Sequence, residues 1–184
     1  MAYRSGTYVA FHAEGTSDPT ESDMKYYRLL QAWDKNKKFD FRLVNSHDKV
    51  AAVRDTSKRA TLEASLRQRL SNSRNVLLII GKTTKLDDDW IPFEIAYAVD
   101  KCTIPIIAAY TDYVTVTAPA QLRGLWPKAL ALRIANQTAR VIHIPFKQAP
   151  VTDAVGQFDH NNLPKGAASH YGADTYRAWG LGHQ

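Results

Sequence analysis

Two short runs, 76–80 (VLLII) and 103–110 (TIPIIAAY), are apolar at successive rather than alternate positions. Strands of that kind bury both faces, as parallel sheets do when helices cover each side. Between and around them the helical period recurs. Met24, Tyr27, Leu30 and Trp33 form a stripe in 21–34, with 18–20 supplying capping chemistry, and Leu62, Leu66 and Leu70 share one face of a helix ending near Asn72. Segments 7–12 (TYVAFH) and 39–44 (FDFRLV) read as strands, 90–102 as a helix with Pro92 in its first turn, 140–146 as a last strand and 150–158 as a last helix. The stretch 122–135 fits either a short helix or an edge strand. Strict alternation of strand and helix requires crossover connections, hence a doubly wound α/β parallel sheet with helices on both faces.

At 184 residues the chain suits one domain, 1–158, followed by a glycine- and aromatic-containing tail, 159–184, expected to dock on it through Tyr171, Tyr176 and Trp179. No apolar run reaches the roughly 20 residues of a bilayer span. The lone Cys102 and the absence of a secretory pattern at the amino terminus point to the cytoplasm. The net charge of +6 favours anionic partners. Arg54, Lys58, Arg59, Arg67, Arg69 and Arg74 supply much of it, and they read as a solvated helix face before they read as a nucleic-acid footprint.

In doubly wound sheets ligands bind beyond the carboxyl ends of the strands. The loops there lack G-x-G-x-x-G, a P-loop, a receiver-type acidic pair and G-x-S-x-G, and no metal-ligand spacing of His and Cys occurs. What remains is 87–94 (DDDWIPFE). It sets the Glu94 carboxylate four residues after Trp90, on the same face of a helix that starts at the ligand edge. Helix-dipole preference and plain packing are the ordinary explanations for such residues.

Segment 39–109 resembles the TIR-like family of bacterial Thoeris anti-phage systems, in LEASLRQRLSNS, NVLLIIGKTT, the WIPFE element and IPIIAAY; Phe11-His12 at the end of the first strand also fits. The resemblance implies a flavodoxin-like, TIR-like sheet of about five strands. It also implies cleavage of the nicotinamide N-glycosidic bond of NAD+, which would be substrate rather than cofactor, with Glu94 of the W-x-x-x-E element catalytic and no metal required. Trp90 and Phe11 would wall the site. Loop position adds His12 as a hydrogen-bonding partner of the nucleotide, Ser17 and Asp18 as ribose contacts and Lys82 as a pyrophosphate contact. The product, linear or cyclic ADP-ribose, would be a signal passed to a separate effector protein, and self-association would complete the site. A non-catalytic TIR-type interaction module, a nucleoside deoxyribosyltransferase relative and a nucleic-acid binder are the competing readings.

Overall fold

The computed structural model describes residues 4–12, 23–35, 43–44 and 56–182, with the side chains of 43–44 and 56–58 set aside. Strands β1 (Thr7–Ala10), β2 (Leu43–Val44), β3 (Asn75–Ile80), β4 (Ile106–Tyr110), β5 (Val141–Pro145) and β6 (Ser169–His170) form one sheet in the order β2-β1-β3-β4-β5-β6. Every neighbouring pair is parallel. The first five strands follow the 2-1-3-4-5 order of flavodoxin-like folds, whose topological switch point lies between β1 and β3.

Helices α1 (Met24–Lys35), α2 (Thr56–Ser71), α3 (Trp90–Ala96), α4 (Lys128–Ala135), α5 (Gln148–Gln157) and α6 (Ala173–Ala178) complete the described elements of that class. Side chains alternate across the pleat, so β1 and β3 feed two cores. Tyr8, Ala10, Val76, Leu78 and Ile80 meet Leu62, Leu66 and Leu70 of α2 and Ile91 and Ile95 of α3. On the other face Val9, Phe11, Leu77 and Ile79 meet Met24, Tyr27 and Leu30 of α1 and Val151 and Ala154 of α5. The continuous apolar runs of β3 and β4 are thereby buried at every residue.

Three details depart from the sequence reading. Residues 90–102 are not one uniform α-helix: α3 gives way to a π-helical stretch, Tyr97–Cys102, that stops at Thr103 with a left-handed backbone (φ 52°). Residues 122–135 contain no strand; a 3-10 turn, Pro119–Leu125, leads into α4. The C-terminal segment adds β6 to the sheet edge, a strand of two residues that is too short for any hydropathy period to reveal.

A buried polar chain fastens that edge. Trp126 Nε1 donates to the Tyr110 hydroxyl at 2.7 Å, which lies 2.8 Å from His143 Nδ1, and His143 Nε2 lies 3.0 Å from the Ala167 carbonyl. Indole N–H only donates and a carbonyl only accepts, so the chain has one direction: Tyr110 donates to Nδ1 and a neutral His143 donates through Nε2. Tyr176, fully buried, donates to the Val116 carbonyl at 3.2 Å, and the Tyr171 hydroxyl donates to Asp153 at 2.6 Å.

Burial, and to a smaller degree the neighbouring His170, push the His143 imidazole down to about 4 from an ordinary 6.5. Unfolding releases the ring to its ordinary value, so between those limits the unfolded chain binds the extra proton. The stabilisation is complete above pH 6.5 and is lost as pH falls toward 4. Melting temperatures measured across that range are expected to fall steeply in the wild type and less steeply in His143→Gln.

Candidate functional site

Helix α3 starts where three backbone N–H groups converge on one carboxylate. Asp87 Oδ1 accepts from the amides of Asp89, Trp90 and Ile91 at 3.0, 2.9 and 3.2 Å. These are donors that a helix terminus leaves without intrahelical partners, and an anion there also opposes the helix dipole favourably. Pro92, which has no N–H to satisfy, sits in the same first turn. The start of α3 is therefore fixed by local chemistry, and with it the phase of its inward face: Trp90, Ile91, Glu94 and Ile95.

That phase carries Glu94 against the sheet. Its side chain is fully buried, and the Tyr8 hydroxyl of β1 donates a short hydrogen bond to its Oε1. Burial is the largest cause that drives the Tyr8 phenol far above its ordinary range; the Glu94 charge and hydrogen bond add to it, and Arg69 opposes it. Tyr8 accordingly remains a protonated donor. Trp90 stays nearly buried beside Glu94. The Arg59 guanidinium lies 4.8 Å from the centre of its ring, and Phe93 packs edge-on at 6.2 Å. Arg59 is itself ion-paired with Asp89 and with Glu63, and Arg67 lies over Phe93 at 5.4 Å. These α2 arginines thus act within the molecule, as cation–π covers on the aromatic face of α3.

A second polar cluster joins the ends of β1 and β3. Thr84 Oγ1 accepts from the Gly81 amide at 2.8 Å and donates to Asp23 Oδ2 at 2.9 Å; the Asp23 amide donates to the His12 carbonyl at 3.3 Å. A Cβ on Gly81 would stand 2.4 Å from Asp23 Oδ1, so any larger residue there would displace the Asp23 carboxylate from this cluster. His12 is partly buried, its Nδ1 is enclosed, and that atom has no hydrogen-bond partner among the described residues. Lys82 is exposed and lies 3.7 Å from Asp112.

Among the residues nominated from sequence, Trp90 and Glu94 are both buried on the inward face of α3, and His12 and Lys82 follow the carboxyl ends of β1 and β3. Phe11 is on the opposite face of the sheet, stacked on Tyr27 at 4.9 Å, so the structure makes it part of the α1 core and does not bring it to Trp90. Ser17 and Asp18 lie outside the described residues, as does Arg54. Sequence reasoning did not single out Tyr8, Asp23 or the capping role of Asp87. Among the described residues no group of three or more His, Cys, Asp or Glu side chains is arranged to hold a metal ion, and no helix is long and apolar enough to cross a membrane.

Asp87→Ala removes the shared acceptor at the start of α3. The expected loss is about 1 kcal/mol of folding stability, read as a lower urea midpoint with an unchanged denaturant slope.

One comparison bears on the whole arrangement. The family model described as Thoeris protein ThsB, TIR-like domain, matches residues 8–115, from the Tyr8 that donates to Glu94 through the loop after β4. That interval is more than half of the chain and contains all but the first residue of β1, with β3, α3 and the residues around Glu94 and Thr84. The fold, the strand order and this match agree, and the chain belongs to the Thoeris ThsB TIR-like domain family.

Proposed function

We propose that this defence-related TIR-type domain cleaves the bond between nicotinamide and ribose in NAD+, with Glu94 as the catalytic residue. The supporting observation is the position of that side chain: a carboxylate on the inward face of α3, four residues after Trp90, held by a phenolic donor. The positive protein charge suits a substrate that carries a pyrophosphate.

The chemistry asks for little else. Nicotinamide in NAD+ is a cationic base, so when the C1′–N1 bond breaks the electron pair returns to the ring nitrogen and a neutral molecule departs without an added proton. The difficulty lies at C1′, which becomes oxocarbenium-like, and a preorganised anion beside it lowers that barrier. Glu94 supplies the anion and accepts hydrogen bonds from ribose hydroxyls. Trp90 excludes water from one side. His12 would bond the nucleotide through its enclosed Nδ1, Lys82 would meet the pyrophosphate, and Ser17 and Asp18 would contact a ribose. Glu94 has no accessible surface, so entry of the ribose entails rearrangement around α3.

Attack by water on C1′ gives ADP-ribose, the water proton passing to Glu94. Attack by a folded-back group of the same nucleotide, held at high effective molarity, gives a cyclic isomer. Either would serve as a signal to a separate effector protein, and self-association would complete the site.

The full burial of Glu94 also favours a second reading, in which Tyr8 and Glu94 are a buried polar pair of a non-catalytic interaction module. One assay separates the two. Concentrated protein, with a crowding agent, is incubated with NAD+ and nicotinamide is quantified. Release by the wild type and a fall of at least about 100-fold in Glu94→Gln, with an unchanged circular dichroism spectrum, are expected. Equal turnover by a folded Glu94→Gln would remove Glu94 from the reaction.

A further inference from the structure

We propose that Tyr8 is a positioning residue whose hydroxyl holds the Glu94 carboxylate in one rotamer and keeps it ionised inside the core. The inference rests on the reading of Glu94 as the group that acts on NAD+, and it goes beyond that reading by assigning the element that sustains it.

Burying a carboxylate among apolar groups favours its neutral form, whereas a hydrogen bond donated to the anion favours ionisation. An oxocarbenium-like centre is eased by a carboxylate and not by a carboxylic acid. Tyr8 meets the need from an unusual place. It is the second residue of β1, wholly buried, 86 positions away in sequence, and it reaches across the α2–α3 core to Oε1. Val9 in β1 and Phe11 just after it, both on the other face, are apolar core residues, so an apolar side chain at position 8 would satisfy packing. A phenol there brings a cost in polar burial that only a partner repays.

The charged and titratable groups around the pair come from several elements. Arg69 of α2 acts on Tyr8 against the effect of Glu94, and Tyr27 of α1 adds to that of Glu94. Arg59 of α2 is engaged with Asp89 and Glu63 and faces the outer side of Trp90. Tyr97, which follows α3, stacks on Phe93 and approaches Ser71 at 3.4 Å. Tyr110 of β4 belongs to the same core, but its hydroxyl is committed to Trp126 and His143. Of these, Tyr8 makes the hydrogen bond to Oε1. The hydrogen bond is mutual: donated by the neutral phenol to the carboxylate, it favours a protonated Tyr8 and an ionised Glu94 together, whereas burial opposes charge on both.

The test uses the full chain in two measurements. Carboxyl-labelled glutamate follows the Glu94 titration by 13C NMR in wild type and Tyr8→Phe, and nicotinamide release is recorded against pH for both. The Glu94 titration and the acid limb of the rate profile are each expected to move upward by about one pH unit or more in Tyr8→Phe, with KM changed less than twofold and the rate recovering at high pH. If Tyr8→Phe melts near the assay temperature, 3-fluorotyrosine at position 8, a stronger donor of nearly the same shape, is expected to move both in the opposite direction. A Glu94 titration that stays in place, or a rate loss uniform in pH, would reduce Tyr8 to packing. A rate increase at every pH would also overturn the proposal, by making the contact a restraint on Glu94. A shifted titration in a protein that releases no nicotinamide would instead defeat the NAD+ reading, and the catalytic purpose assigned to Tyr8 with it.

Discussion

An all-parallel sheet buried on both faces is the constraint from which the rest of this molecule follows. Each strand of the β2-β1-β3-β4-β5-β6 ladder pairs with its neighbours in the same direction, so the connections must cross the sheet's faces and cover them. The two cores that result differ in character. The face under α1 and α5 is apolar apart from Thr7 and Asn75 at the strand starts, the latter donating to the Val155 and Phe158 carbonyls, whereas the face under α2, α3 and α4 admits Glu94, Tyr8, Tyr110 and His143. Polarity inside the second core is concentrated in two hydrogen-bonded arrangements, one joining β1 to α3 and one joining β4, β5 and the C-terminal segment. Each links elements distant in sequence, and each would leave buried polar groups without partners if one member were lost.

The two arrangements serve different ends. The Trp126–Tyr110–His143–Ala167 chain is satisfied from end to end, and its donors point in one direction, which suits a fastening. The Tyr8–Glu94 contact places a titratable carboxylate where charge is expensive, beside a tryptophan and at the start of a helix capped by Asp87. Core positions seldom tolerate such expense without compensation. A π-helical stretch directly after α3 is a further departure from regular geometry in the same place, and such stretches are often found at functional sites.

Much of this was legible in the sequence, for identifiable reasons. The uninterrupted runs of β3 and β4 announced burial on both faces, and the leucine stripe of α2 and the aromatic-rich stripe of α1 announced their inner sides. The i, i+4 spacing placed Trp90 and Glu94 on one face of α3. Strand parity puts Phe11 opposite Tyr8, because residues three apart in a strand face opposite ways, and this excludes Phe11 from the side of Trp90. Other features left no local trace. The two-residue β6 has no period, and the Tyr8–Glu94 and His143–Ala167 contacts join residues that only the completed sheet brings together. The π-helical stretch after α3 buries Ala98, Val99 and Cys102, a spacing that the α-helical period alone does not distinguish from a continued α-helix.

The most direct test is a crystal structure of Glu94→Gln with NAD+ bound. The nicotinamide ribose is expected beside α3, with the residue-94 amide within hydrogen-bonding reach of its hydroxyls and Trp90 along one side. A nucleotide bound elsewhere on the carboxyl edge, with no ribose beside residue 94, would contradict the account.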